Sequence, residues 1–397
     1  VFYIHVPFCR SFCNYCGFYS ETCNRASQSQ AFDEYAEALE AEIEERTEEI
    51  AEHSRTSNLN TIYIGGGTPS VLPLDVLGRI VRPVTQLCQG SPLKEFTIEV
   101  NPEDIVEKGP HYVSGLLDLG VSRISMGIQS FDDGILKWMN RRHSSSGARQ
   151  AFRTIRKAAQ EAGKDIDLSI DLMFGLPMLD EEAWKNTVSQ AIALGSEDGF
   201  KGPEHISAYQ LSIEEGSTLE NMIAEGRCRE ASEEVCRNQY DILCSMLSEA
   251  GFHHYEVSNF ALPGHEAIHN SAYWKRIPYI GLGPGAHSLS CLKDSSGGLV
   301  ERRSWNSQEL PRRRRNGSLA TYSREEEVLS PEDIRIERIM LALRTDKGMD
   351  ESALRSLAGE EAVGLMLAEG ALVRNEGRLH IPEDKFFISD EIIRELV

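Results

Sequence analysis

Three cysteines fall within eight residues near the start of the chain, as Cys9-x3-Cys13-x2-Cys16, directly after the strand-like run Tyr3-Ile4-His5-Val6-Pro7-Phe8. Thiolates this closely spaced can converge on one soft metal centre. A tetrahedral zinc site wants a fourth ligand at a second short spacing, and none stands nearby; a zinc-bound structural protein would also be colourless. Three ligands leave one coordination position open. An iron–sulfur cluster with one free iron uses this spacing, although common ferredoxin patterns supply four cysteines, and it predicts a brown protein after anaerobic purification. Cys23, downstream of the three, is read as an incidental buried thiol.

The elements that must position these thiols follow in a regular order. Gln30 to His53 places Phe32, Tyr35, Leu39, Ile43 and Ile50 mostly at three- and four-residue steps among glutamates, which predicts an amphipathic helix with an acidic outer face. Thr61-Ile62-Tyr63-Ile64 reads as a strand ending at Gly65-Gly66-Gly67-Thr68-Pro69. Strands are expected again at 95–100, 123–128, 166–172 and 205–211, separated by helix-like stretches such as 147–162. With the opening run this makes six strands alternating with helices, an α/β pattern that argues for a parallel sheet, doubly wound or curled into a barrel.

The strands carry an unusual face. In 95–100, 123–129 and 166–172 one set of alternate residues is apolar and the other almost wholly polar, whereas parallel strands covered on both sides normally read as continuous apolar runs. Packed barrel interiors are usually filled with branched aliphatics, so a polar inner face predicts a hydrated or ligand-filled lumen. Functional residues of such folds gather at the carboxyl ends of the strands. Those ends carry the cysteine loop, Gly65 to Pro69, Glu99 with Asn101, Gln129, Asp171, and Tyr209 with Leu211. Singly, each has a plain structural account as a cap or turn; together they mark one site. The glycines can bring backbone amides close to a small polar group such as an amino acid. They lack the Gly-Lys-Ser/Thr of a phosphate loop and the spacing of a dinucleotide fingerprint.

Length and charge limit the function classes. A chain of 397 residues is expected to form a larger domain with a smaller companion. Forty-one Lys plus Arg against 62 Asp plus Glu give a net charge of −21, which disfavours nucleic acid and anionic membrane as partners. No apolar run is long enough to span a bilayer and no basic-plus-apolar leader precedes the motif, so the expectation is a soluble, cytoplasmic protein, not an integral membrane protein. Beginning at Val1 rather than Met, the chain is expected to lack a few native N-terminal residues.

The second half breaks the pattern. After a helix expected between Gly226 and Gly251, five histidines fall between His253 and His287 in a glycine-rich region, among them His269-Asn270-x2-Tyr273-Trp274. An imidazole is a ready axial ligand for iron, and flanking aromatics can cover a porphyrin face; a lone His beside a Trp is more often a packed turn. His269 is the preferred ligand, with His265 and His287 as rivals. Arg312 to Arg315 is read as a solvated loop. From Pro331 a helix with Ile334, Ile336, Ile339, Met340 and Leu343 inward is expected, then two short helices and a hairpin over 371–381 turning at glycine.

The motifs at Tyr3–Cys16 and Gly65–Pro69, with Ile170-Asp171-Leu172-Met173-Phe174-Gly175-Leu176-Pro177, resemble the radical S-adenosylmethionine superfamily. Within it the chain is similar to the oxygen-independent coproporphyrinogen III oxidase branch of porphyrin biosynthesis, and most of all to the HemW-type heme chaperones, whose HNxxYW motif matches residues 269–274. The resemblance implies a partial (β/α)6 TIM-like barrel over 1–215, a connecting region over 216–325 and a smaller α+β, winged-helix-like domain over 326–397. It implies a [4Fe–4S] cluster on Cys9, Cys13 and Cys16, with S-adenosylmethionine beside Tyr3, Tyr15, Gly66, Gly67, Thr68, Glu99, Gln129, Arg141, Asp171 and Leu211. It implies heme at His269, Asn270, Tyr273 and Trp274, a hemoprotein acceptor such as a respiratory-chain component, a reductant such as a flavodoxin, and a homodimer. The oxidases have a further thiol two places after the third ligand; here Phe18 stands there. That departure favours the chaperone over the enzyme.

Overall fold

The computed structural model describes residues 1–22, 28–88, 92–293, 298–309, 311 and 321–397. Cys23 and the Arg312 to Arg315 run lie outside the described residues. The six expected strands are present as Phe2–Val6, Thr61–Gly66, Glu95–Val100, Arg123–Gln129, Asp167–Phe174 and His205–Gln210, adjacent in that order and parallel throughout. Their register explains the alternation. Ile4, Ile64, Ile98, Ile124 and Leu168 lie side by side across five strands, all buried, and face the helices. Each such side chain contributes about 1.5–3 kcal/mol on burial. The next residues along each strand point the other way, so Glu99, Ser125, Ser169 and His205 form a matching polar row.

The helices between the strands carry the complementary stripe. In Leu74–Leu87 the buried apolar side chains are those of Val76, Leu77, Ile80, Val81 and Val84, and Ser145–Glu161 starts at Ser144, whose side chain accepts from the Gly147 amide. The single helix expected over 30–53 is two, Gln28–Glu45 and Thr47–Thr56, broken at Arg46. At the break Arg46 has φ −98° and ψ 14°, and its buried guanidinium binds Glu42 at 2.9 Å and the Gly281 carbonyl at 2.8 Å. The Gly226–Gly251 helix is shorter than expected, Glu233–Glu249, opening at a Ser232 cap.

Three further short strands complete the sheet. Ile280–Leu282 pairs parallel with the first strand, and Asn259–Ala261 pairs antiparallel with the sixth, followed by His253–Glu256, giving nine strands in all. His287–Lys293, Leu299–Asn306 and Arg324–Val328 form a separate antiparallel sheet. The last part has the expected small-domain order. The helix Pro331–Leu343 opens with a Ser330–Asp333 capping box, Glu351–Ala358 and Glu360–Ala368 follow, and Val373–Asn375 pairs with Arg378–His380. The hairpin turns at Glu376 and Gly377, both at positive φ (48° and 79°), the geometry of a two-residue primed turn. Among the described residues no helix is long and apolar enough to cross a membrane.

Candidate functional site

The cysteine loop is held from three sides. Phe8, just ahead of it, packs between Phe32 and Tyr35, with ring centroids at 4.9 and 5.4 Å, and Tyr35 donates to the His5 carbonyl at 2.8 Å. Within the loop, the Asn14 amide donates to Met139 O (3.2 Å) and its carbonyl accepts from Leu219 N (2.8 Å), while Asn140 Nδ2 reaches Phe12 O at 2.7 Å. The loop is thereby fixed over the carboxyl ends of the strands. There Cys9, Cys13 and Cys16 line one end of a cavity of about 520 Å³ that runs down the barrel axis.

The polar strand faces make the rest of the wall. Thr97 and Glu99, Ser125 and Gln129, Ser169 and Asp171, and Ser207 and Tyr209 all line it. Half-buried Glu99 accepts from Tyr63 OH at 2.7 Å and from the Gly66 amide at 3.2 Å. Burial pushes its carboxyl up to about 7 against those two hydrogen bonds, and the Asp171 carboxylate adds to the rise. Asp171 is likewise raised by burial and accepts from Ser125 Oγ at 3.1 Å. Gln129 follows a bulge and has φ 68°, rare for a non-glycine residue, and its buried Oε1 has no hydrogen-bond partner.

Arg141 is the arginine that turns inward; Arg142 is exposed. Arg141 Nη2 donates to Asn101 Oδ1 (2.8 Å) and Gly127 O (2.6 Å), and Nη1 lies 3.5 Å from Cys13 Sγ. Thr68 Oγ1 stands 3.4 Å from Cys9 Sγ and accepts from Asn101 Nδ2 at 3.2 Å. A Cβ on Gly67 would come within 2.7 Å of Phe8 O, so this close passage of two backbones beside the cysteines admits only glycine. Tyr15, Gly66, Gly67 and Thr68 line the cavity. Tyr3 and Leu211 stand behind its wall: Tyr3 OH is 3.0 Å from His5 Nδ1, and Leu211 is buried with its amide on Phe174 O.

This donor set suits the cluster and a small zwitterionic cation. Burial raises Cys9 and pushes Cys16 up to about 11, so these thiols ionise only beside positive charge of the kind a metal cluster brings. The orphaned Gln129 oxygen and the two acidic groups are acceptors for a cationic ligand.

The far end of the cavity is closed by a network missed in the sequence. Arg123 donates to Glu95 (Nε, 3.0 Å), Asp167 (Nη2, 2.9 Å) and His265 O (2.8 Å). Glu95 in turn accepts from the amides of Ile268 and His269, both at 2.9 Å, and so caps the short helix Ile268–Trp274. Ala267 and Asn270 are thereby set into the cavity floor with His205, whose ring bonds Ser169 Oγ (2.7 Å) and Tyr255 OH (2.8 Å). The one available signal was the polar alternation that places Arg123 and His205 inward.

His269 sits behind that floor. It is fully buried, with Nδ1 2.8 Å from Thr61 Oγ1 and Nε2 3.0 Å from Tyr273 OH, and burial lowers its imidazole to about 3. Both ring nitrogens are engaged, so in this arrangement it offers iron no free lone pair. Tyr273 meets Tyr279 edge-on at 4.8 Å, and Trp274 is half-buried. Of the rivals, His265 gives Nδ1–H to Asp167 at 2.6 Å with a third of its side chain exposed, and His287 stacks on Trp305.

The raised Glu99 carboxyl has a consequence for stability. Its folded value of about 7 lies above the ordinary carboxylate range, so the native state favours the protonated form. Its contribution is fully present at about pH 4 and is lost as pH rises through 7. Glu99→Gln is therefore expected to stabilise the ligand-free protein increasingly between about pH 4.5 and pH 7 and to level off above that, with a plateau on the order of 1–3 kcal/mol. Chemical denaturation of both proteins across that range checks the sign.

Residues 3–191 match the family model described as the radical SAM superfamily. The chain is 36% identical over 293 residues to the heme chaperone HemW of Bacillus subtilis (strain 168), covering 72% of this chain and 69% of that protein. It is 31% identical over 404 residues to the heme chaperone HemW of Lactococcus lactis subsp. lactis (strain IL1403), covering 100% and 96%. Among solved structures, the coproporphyrinogen III oxidase (HemN) of Escherichia coli, described as a radical SAM enzyme, superposes with a TM-score of 0.75. It is 18% identical, covering 100% of this chain and 89% of that one. That likeness concerns the fold.

Proposed function

The chain belongs to the radical SAM superfamily, in its HemW-type branch, and from that premise we propose that it is a heme chaperone of the cytoplasm. In this reading it binds heme, a [4Fe–4S] cluster and S-adenosylmethionine, and passes heme to an acceptor hemoprotein. Phe18 is the observation that carries the reading. It lines the cavity beside Cys16 with 73% of its surface exposed, joined by Phe12 at 49% and Tyr209 at 43%. An exposed aromatic wall beside the cysteines suits the flat apolar face of a porphyrin. It puts a ring where the oxidases have a further thiol.

The cofactor roles follow from the site chemistry. Cys9, Cys13 and Cys16 would hold the cluster, which when bound supplies an iron with an open coordination position and a source of one electron. Gly66, Gly67 and Thr68 would receive the amino-acid end of S-adenosylmethionine, Arg141 its carboxylate, and Glu99, Gln129 and Asp171 its cationic and polar groups. Tyr15 would pack beside it, with Tyr3 and Leu211 supporting the wall. For heme, His269 remains the proposed ligand together with Asn270, Tyr273 and Trp274. Ligation requires His269 Nε2 to exchange the Tyr273 hydroxyl for iron, whereas His265 needs no such exchange.

The second reading is an oxidase that decarboxylates coproporphyrinogen propionates, and it rests on the intact cysteine, glycine and acidic motifs that line the cavity as a cluster and cofactor site. Reconstituted protein titrated with heme is expected to give a saturable Soret band that His269→Ala removes. An unchanged band in that variant and its loss in His265→Ala would move the ligand to His265. Turnover of coproporphyrinogen III to protoporphyrinogen by the same preparation, given S-adenosylmethionine and a reductant without oxygen, would overturn the chaperone reading.

A further inference from the structure

A second group of metal-binding side chains lies away from the cavity, where the small C-terminal domain meets the barrel. Cys244 is on the helix Glu233–Glu249, His254 on the edge strand His253–Glu256, and Glu383 opens the turn of 3-10 helix Glu383–Ile388 in the last domain. One ligand atom from each lies within 4.8 Å of the other two. His254 Nδ1 is 3.9 Å from Cys244 Sγ and 3.3 Å from Glu383 Oε1. Ordinary zinc bond lengths at tetrahedral angles place N and O about 3.3 Å apart, and S and N about 3.6 Å apart. The spacing already approximates a coordination sphere.

The protonation pattern points the same way. Tyr240 OH donates to Val257 O at 3.0 Å, which uses its only proton, so at its 3.2 Å contact with His254 Nε2 the phenol oxygen must accept. Nε2 therefore carries a hydrogen. In the neutral ring Nδ1 is then a bare lone pair 3.3 Å from a carboxylate oxygen, an arrangement that either a second ring proton or a cation between the two would satisfy. A histidine that gives its other N–H to a fixed acceptor is the usual orientation of a metal ligand. The ring is also locked, stacked on Phe260 at 4.1 Å and met edge-on by Phe386 at 5.0 Å.

We infer that Cys244, His254 and Glu383 form a site for a divalent, borderline-soft ion of the zinc class that fastens the C-terminal domain to the barrel. Cys244 and His254 come from the barrel side and Glu383 from the last domain, so the ion bridges the two. Glu383 is 57% exposed, which leaves an entry path and room for water as the fourth ligand. The site is independent of the cluster cysteines and of the heme reading.

The test uses the full chain with its cluster reconstituted anaerobically, exposed to Zn²⁺, desalted, and analysed for zinc and iron together. One zinc per chain is expected to remain. Cys244→Ser and Glu383→Gln should lose it with iron unchanged, and Tyr240→Phe should weaken retention about tenfold. A chain with Cys9, Cys13 and Cys16 all changed to alanine should still hold the ion, and Co²⁺ in its place should give a thiolate charge-transfer band that Cys244→Ser abolishes. Zinc retention equal in the parent and Cys244→Ser chains, both folded by circular dichroism, would overturn the assignment. So would loss of all zinc from the triple-alanine chain.

Discussion

Cys13→Ser is expected to leave a folded chain that cannot hold its iron. Cys13 is the thiol approached by Arg141, at 3.5 Å, and one of three that line the same end of the cavity. A serine hydroxyl keeps the shape but has neither the softness nor the acidity to replace a thiolate on iron. In the proposed cluster site the three cysteines are the only protein ligands, which leaves no spare. Iron after anaerobic reconstitution should fall from about four atoms per chain to below one, and the brown absorbance should disappear. The far-ultraviolet circular dichroism should not change, because Asn14, Phe8 and Tyr35 hold the loop without the metal. A chain that kept its full iron content would remove Cys13 from the ligand set.

Arg123→Met should produce the largest loss of stability. Its side chain is 4% exposed, as is that of Glu95, and the pair is joined at 3.0 Å. Removing the guanidinium strands a buried carboxylate, which costs about 3–5 kcal/mol. The Ile268 and His269 amides on Glu95 offset only part of this, since they are already bonded to it. Denaturation followed by tryptophan fluorescence measures the loss. The double variant with Glu95→Gln should recover part of it, because the stranded charge is then gone. A loss below about 1 kcal/mol would mean that water already reaches Glu95.

The barrel was legible because its lumen is polar. Alternation of the kind in Glu95–Val100 and Asp167–Phe174 is weak in most parallel sheets, and here it identified both the strands and the inward residues. The carboxyl-end residues then fell together because strand direction puts them together. Arg141 and Arg142 are alike in the sequence; what separates them is the pair of acceptors, Asn101 Oδ1 and Gly127 O, that only the fold supplies. The strands Asn259–Ala261 and Ile280–Leu282 have three residues each, too few for a period to show. Glu95 looked like the polar start of a strand, since the amides it caps lie 173 and 174 residues away. The density of histidines suggested a ligand at His269, and nothing local announced that Thr61 and Tyr273 occupy both its nitrogens.

The parallel pairing of Ile280–Leu282 with Phe2–Val6 has a consequence for how the chain reaches this fold. The first strand carries the cysteine loop, yet one of its edges stays bare until residue 282 has been made. Contacts of such sequence separation form late and slowly. During synthesis, a parallel sheet with one apolar face and an open edge would therefore exist for the time taken to add more than half the chain, a state prone to pairing with other chains. A nascent barrel truncated before Gly281 should bind holdase chaperones or aggregate, and metal loading at the cysteines should follow release of the full-length product.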